Sequence, residues 1–248
     1  MRIIISPAKK MNNRADECGI QELPVYIRET ELIMKWLKQL SFDEAKSLWA
    51  CNDQLAELNY TRFQNMDLYK NLTPALLAYE GLQYQHMAPG VFSEEAIHYV
   101  EKNLRILSGF YGVLKPFDGV TPYRLEMQAK ANIGESKGLY QFWSDKLYHE
   151  VFDEDRVVIN LASKEYSTCI ERHLSVEDHF ITCVFGEMKG EKIVQKSTLA
   201  KMARGEMVRF MAENNVKSPE EIKEFHELSL VFQPELSTDQ QYVYLIKK

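Results

Sequence analysis

The chain has 248 residues, 45% of them hydrophobic and 27% charged, which supplies a sizeable core and excludes a disordered polymer. Eleven glycines and eight prolines exclude collagen-like repeats, long flexible linkers and low-complexity tails. The formal charge of −6 excludes a global attraction to nucleic acid or anionic lipid, so any anion site has to be local.

Arg2-Ile3-Ile4-Ile5 is a β-branched run ending at Ser6-Pro7, and it predicts a buried strand opening into a loop that carries Lys9 and Lys10. The run is too short and too soon interrupted for the apolar part of a secretory signal. No stretch of about 18 apolar residues comes after it, so a cytoplasmic protein with no membrane partner is expected. Ile27, Leu32, Ile33, Trp36, Leu37 and Leu40 recur at helical spacing and predict an amphipathic helix between Leu23 and Leu40. Ser41 with Glu44 is a capping-box pair that starts a second helix, running to about Ala50. After the polar break Cys51-Asn52-Asp53, Leu55, Leu58, Phe63 and Met66 continue at helical intervals through Arg62, giving helix, short turn, helix. Thr73-Pro74 predicts a further cap with proline in the first helical position, and Ser93-Glu94-Glu95 another helix start.

Gly109 to Met127 is the most heavily punctuated stretch, with three glycines and two prolines interleaved with aromatic residues. It predicts an ordered loop whose path is set by turns and packed by rings. Arg124 and Glu126 stand two apart, so an extended backbone points both to one face, where they either clamp a ligand or pair with each other.

Val157-Val158-Ile159 predicts a strand leading straight into Asn160-Leu161-Ala162-Ser163-Lys164-Glu165-Tyr166. In alternating α/β chains, ligands collect where strand carboxyl ends meet the following helix starts. Ser163 reads as a helix cap there; without a G-x-S-x-G turn it lacks the setting of a nucleophile. Phe180 to Phe185 predicts another strand, which Gly186 to Gly190 turn into Lys192-Ile193-Val194. Leu199 to Asn214 is helical in pattern, and Lys201, Arg204 and Arg209 are expected to form one phosphate-facing stripe on it. Gly205 costs that helix about 1 kcal/mol relative to alanine, which suggests a close approach by something. Ser218-Pro219-Glu220-Glu221 reads as a capping box, and Gln241 to Ile246 as a closing strand. Interleaved strands and helices, with no repeat and no break in composition, predict a mixed α/β or α+β body over 1–248 as a single domain.

Four cysteines, at 18, 51, 169 and 183, form no CxxC pair and read as reduced thiols. Cys169 with His173 and His179 with Cys183 resemble a ligand set, but four residues of strand separate the second pair by about 13 Å, too far for one ion. No metal or cofactor is expected, and phosphate-binding glycine motifs are absent. Basic residues instead cluster in two islands. Residues 1–14 hold Arg2, Lys9, Lys10 and Arg14 with no acid, and residues 189–209 hold six basic residues against Glu191 and Glu206. Either island also reads as a solvated face.

Ser6-Pro7-Ala8-Lys9, the Gly109–Met127 loop, Asn160-Leu161-Ala162-Ser163 with Glu165-Tyr166, and Ala203-Arg204-Gly205 with Met207 and Arg209-Phe210 together resemble the YaaA-type peroxide stress response family, nearly end to end. The resemblance implies an unusual compact α/β fold with a helix-hairpin-helix-like element over about residues 41–66, in which Arg62-Phe63 matches the family pattern. It also implies a cytosolic protein, induced by hydrogen peroxide, that limits damage from unincorporated iron and binds double-stranded or branched DNA through a positively charged cleft. Here the hairpin Cys51-Asn52-Asp53 has no glycine, and Leu199 and Met202 stand where family members often carry an aromatic residue and a lysine.

Two functions are expected of one set of residues. In the first, Ser6, Lys9, Lys10, Arg62, Arg124, Asn160, Ser163, Lys201, Arg204 and Arg209 form an anion-binding surface that holds duplex or junction DNA without sequence preference. In the second, an enzyme acts on a phosphorylated or nucleobase-like small molecule, with Glu126 or Glu165 as the base and Lys9 and Arg124 as anion holders. Direct iron sequestration finds no convincing cluster of carboxylates or histidines at ligand spacing.

Overall fold

The β-branched run at the N-terminus forms an interior strand of the central sheet. In the computed structural model, which describes residues 1–14 and 19–247, Ile3, Ile4 and Ile5 are wholly buried in β1 (Arg2–Ile5). Along the chain come α1 (Ile27–Gln39), α2 (Phe42–Trp49), α3 (Asp53–Gln64), α4 (Leu82–Met87) and α5 (Glu94–Asn103). Next are β2 (Leu104–Ser108), β3 (Gly112–Leu114), β4 (Val157–Leu161), α6 (Lys164–Glu171), β5 (His179–Lys189) and β6 (Lys192–Val194). α7 (Ser197–Glu213), β7 (Leu230–Phe232) and β8 (Gln241–Ile246) complete the main elements.

The central sheet runs β7-β8-β5-β4-β1-β2-β3, with β6 paired to β5. β8, β5, β4, β1 and β2 are mutually parallel, and β7, β3 and β6 pair antiparallel at the edges. Ile4 of β1 sits opposite Asn160 of β4 on one side and Arg105 of β2 on the other. The chain adds β2 and β3 on one side of β1, then crosses back to add β4, β5 and β8 on the other. Winding therefore reverses between β1 and β4, and a crevice opens outside the carboxyl ends of these two strands.

Side-chain caps set the starts of α2, α3 and α5. The Ser41–Glu44 capping box forms: Glu44 N donates to Ser41 Oγ at 3.4 Å and Ser41 N to Glu44 Oε2 at 2.8 Å. Ala50 closes α2 in a left-handed conformation (φ 44°), and Asn52 Oδ1 caps α3 by accepting from Leu55 N at 3.0 Å. Ser93 Oγ caps α5 through Ala96 N.

Three expectations change. Thr73-Pro74 is a two-residue strand against Gly119-Val120 rather than a helix cap. Thr73 Oγ1 accepts from Arg14 N and donates to Asn13, and only a single turn, Ala75–Ala78, comes next. The loop supplies the partners that a cap otherwise would, since Asp118 O and Pro116 O accept from Ala75 N and Leu76 N. The β5–β6 hairpin turns at Gly190-Glu191 (φ 60° at Gly190), and Gly186 lies inside β5. Ser218 does bond the Glu221 carboxylate, but it opens only one 3₁₀ turn, Glu221–Glu224. Cys51, Cys169 and Cys183 are free; Cys18 lies outside the described residues.

Gly205 is where α7 presses on α4. A Cβ there would lie 2.1 Å from the Gln83 carbonyl oxygen and 2.9 Å from Met87 N, both backbone atoms that cannot swing away. Gly205→Ala is accordingly expected to cost about 1–3 kcal/mol by overpacking, read as a lowered midpoint in urea denaturation.

Asp118 is a second structural pressure point. It is buried, its Oδ2 accepts from Lys115 N at 2.9 Å, and burial pushes its carboxyl up to about 7 despite the nearby cations Lys115 and Arg105. The folded protein keeps this proton while the unfolded chain releases it near pH 4. The contribution to stability is thus complete below about pH 4 and is lost as pH rises through about 7. Asp118→Asn keeps the acceptor and removes the titration, so its melting temperature relative to wild type should climb between pH 4 and 7 and level off above.

Candidate functional site

The crevice at the winding reversal is closed by one contact between distant segments. Ser6, directly after β1, accepts from Ser163 N at 2.8 Å and donates to Ser163 Oγ at 3.2 Å. Ser163 occupies the N-cap position of α6, but its side chain caps nothing, because Ser6 engages its hydroxyl. The expected capping role for that hydroxyl is therefore replaced by a bridge between the two strand ends. Tyr84 of α4 donates to Ser6 O at 3.0 Å, which ties the same loop to a third element.

A buried aromatic chain sets the opposite wall. Tyr123 Oη lies 2.6 Å from Ser108 Oγ at the end of β2 and 2.8 Å from Tyr79 Oη. Its ring packs on Phe110, Tyr111 and Tyr79. Burial pushes the Tyr123 phenol up to about 12, so it stays neutral and serves as a hydrogen-bond link. Ser108 Oγ also accepts from Phe110 N and Tyr111 N, and Trp143 Nε1 donates to Gly109 O. The 109–127 loop is ordered by these rings and hydroxyls, as its composition predicts, and it delivers Arg124 and Glu126 to the crevice.

The result is a cavity of about 400 Å³ lined by Ser6, Lys9, Lys10, Arg124, Glu126, Ser163, Glu165, Lys201 and Arg204, all sequence-predicted candidates. Five cationic side chains face three carboxylates, the third being Glu80. Lys9 Nζ is 2.8 Å from Glu126 Oε1, Arg124 Nη2 is 3.5 Å from the same oxygen, and Lys10 Nζ is 2.5 Å from Glu80 Oε2. Arg124 and Glu126 thus pair with each other, one of the two expected alternatives, and both line the crevice. Burial raises the Glu165 carboxyl above the usual carboxylate range, although Gln128 N donates to it. Burial lowers the Arg204 guanidinium, and its Nε has no partner among the described residues.

A wider opening of about 940 Å³ adjoins this cavity and shares Lys9, Arg124 and Glu126 with it. Its far wall is α2, which contributes Asp43, Glu44, Ser47 and Trp49, with Ala50 at the turn and Lys130 opposite. Together the two form one cleft with a narrow and a wide part.

Three expected members lie elsewhere. Asn160 is buried within the sheet, where its Oδ1 accepts from Ala162 N at 2.9 Å and its Nδ2 donates to Thr182 Oγ1; it shapes the strand end instead of facing the cleft. Arg209 points along α7 to Glu213 at 2.8 Å, so the expected stripe divides and only Lys201 and Arg204 reach the cavity. Arg62 is half-buried on α3 and lines neither part. Conversely, the reading along the chain passes over Glu80-Gly81-Leu82-Gln83-Tyr84, which forms one side of the cavity. Its one local signal is a glycine in a short stretch bounded by Tyr79 and Tyr84; a Cβ at Gly81 would lie 3.2 Å from Ala8 Cβ.

Residues 1–236 match the family model described as peroxide stress protein YaaA. The chain belongs to this family. It is 57% identical over 244 residues, 98% of either chain, to a UPF0246 protein of Agathobacter rectalis. It is 51% identical to UPF0246 proteins of Lachnoclostridium phytofermentans and Ligilactobacillus salivarius, covering 99% of this chain and 96% and 99% of theirs. Among the described residues no helix is long and apolar enough to cross a membrane.

Because Ser6 satisfies a backbone amide and Ser163 Oγ satisfies only Ser6, the two serines are not equivalent. Ser6→Ala should destabilise by about 1–2 kcal/mol through the orphaned Ser163 amide, and Ser163→Ala by less than half of that, both read from urea midpoints.

Proposed function

We propose that this YaaA family member is a cytosolic peroxide stress protein whose cleft holds the phosphate backbone of double-stranded or branched DNA without sequence preference. By this route it limits damage from unincorporated iron. The observation that supports the reading is convergence: in a chain of net charge −6, five cations from three separate segments line one cleft. The wide part of the cleft suits an extended backbone, and the α2–α3 pair beside it is the helix-hairpin-helix-like element. There Ala50 adopts the left-handed conformation that such a hairpin ordinarily gives to glycine.

Counterion release makes this quantitative. Five neutralised phosphates correspond to a log–log slope of binding constant against salt of about −4.5, and removing one cation flattens it by about 1. Fluorescence anisotropy with duplex and four-way-junction DNA should show this slope, with Lys201→Gln flatter and Arg209→Gln, outside the cleft, unchanged. A slope near zero for both DNAs rejects the reading.

A second reading, an enzyme on a phosphorylated or nucleobase-like small molecule, is favoured by one specific observation. Glu165, whose carboxyl burial shifts upward, and Glu126, bridged by Lys9 and Arg124, line the same narrow cavity and form a candidate acid–base pair. If Glu126→Gln and Glu165→Gln leave peroxide survival intact while Lys201→Gln with Arg124→Gln abolishes it, catalysis by these carboxylates is eliminated.

A further inference from the structure

We propose that the narrow part of the cleft is a binding site for one phosphate monoester, with Arg204 and Gln83 as the buried donors and Lys201 at the rim. This goes beyond backbone binding and stands whether or not duplex DNA is a ligand.

The first argument is charge. Lys9, Lys10 and Arg124 each have a carboxylate partner, whereas no described residue pairs with Arg204 or Lys201. Set against Glu80, Glu126 and Glu165, the five cations leave the cavity a formal excess of two positive charges, the complement of a dianion. The second argument is unused donors. Gln83 is only 7% exposed and lines the cavity, yet its Nε2 has no hydrogen-bond partner, and neither has Arg204 Nε. Buried donors left unmade destabilise a fold, and a charged one more so, which points to a ligand that accepts from them. The third argument is placement. Arg204 precedes Gly205, the residue whose missing Cβ lets α7 touch the Gln83 carbonyl oxygen, so these donors come from two helices in backbone contact and are set rigidly beside each other.

Size and shape select the ester. A cavity of about 400 Å³ suits a nucleotide-sized molecule. It lies outside the carboxyl ends of β1 and β4, with the Ser6–Ser163 bridge and Tyr84 among its walls. A diester must leave on both sides, whereas a monoester terminates, presenting three oxygens and close to two charges. Lys201, being exposed, is placed to neutralise the outer oxygen.

The shared chemistry is the phosphate monoester, found on free nucleotides and on DNA ends. Isothermal titration of the intact protein at fixed ionic strength, with inorganic phosphate and then adenosine monophosphate, should show saturable binding that chloride does not mimic. Gln83→Met and Lys201→Ala should each weaken it about tenfold or more, and Arg209→Gln should leave it unchanged. Arg204→Met should abolish it; the exposed Lys201 keeps the test valid if that variant misfolds. A 5′-phosphorylated single strand measured against its 5′-hydroxyl form assigns the source: a gain from the phosphate points to DNA ends, and no gain with nucleotide binding retained points to free nucleotides. Failure of inorganic phosphate, nucleotide and phosphorylated strand alike overturns the proposal, as does wild-type affinity in both Gln83→Met and Lys201→Ala. Duplex DNA with hydroxyl ends, titrated in parallel, separates the readings, since its binding can persist when phosphate binding fails.

Discussion

The site depends on the hydrogen bond between Ser6 Oγ and the Ser163 amide. Parallel strands β1 and β4 end side by side at the point where the chain reverses its winding, and 157 residues of chain separate the two serines that join there. Once that bond holds the 6–10 loop against the start of α6, Lys9 and Lys10 share a cavity with Glu165. The Tyr84 bond to Ser6 O then adds α4, and through the Gly205 contact α7 comes with it. Each successive element is positioned by backbone or by a neutral hydroxyl, so the cations that arrive with them need no ion pair to be held in place.

Electrostatics divides these cations by role. Exposed Lys9 and Lys10 bridge to Glu126 and Glu80, pairs that in water contribute little to stability but aim the ammonium groups along the cleft. Arg204 is different, since it is desolvated and its Nε is unpartnered, an arrangement that weakens a fold in the absence of a counter-charge. A protein of net charge −6 tolerates such a concentration because the acids of the segment after α7 lie outside the cleft and balance the total without neutralising the cavity.

The 109–127 loop shows how far composition carries. Its glycines, prolines and aromatic residues predict an ordered path, and the Ser108–Tyr123–Tyr79 chain supplies that order. Thr73-Pro74 shows the opposite outcome. A cap signal of equal local quality gives way to strand pairing, because the loop carbonyls of Pro116 and Asp118 lie within reach and satisfy the next amides. Asn160 and Arg209 illustrate the same limit for function. Both sit in motifs that carry the family resemblance, yet one is turned into the sheet and the other along its own helix.

By itself the sequence determined what is encoded within a few residues: the β-branched strands, the Ser41–Glu44 and Ser93 helix starts, the close approach at Gly205, and family membership. Only the tertiary structure decided which cations share a cavity, that α4 forms one of its sides, and that Ser163 bridges instead of capping. The physical reason is range. Caps, turns and periodicity are satisfied by partners three or four residues away, whereas a cavity wall is assembled by sheet order and helix contact between segments that leave no trace of one another in the local pattern.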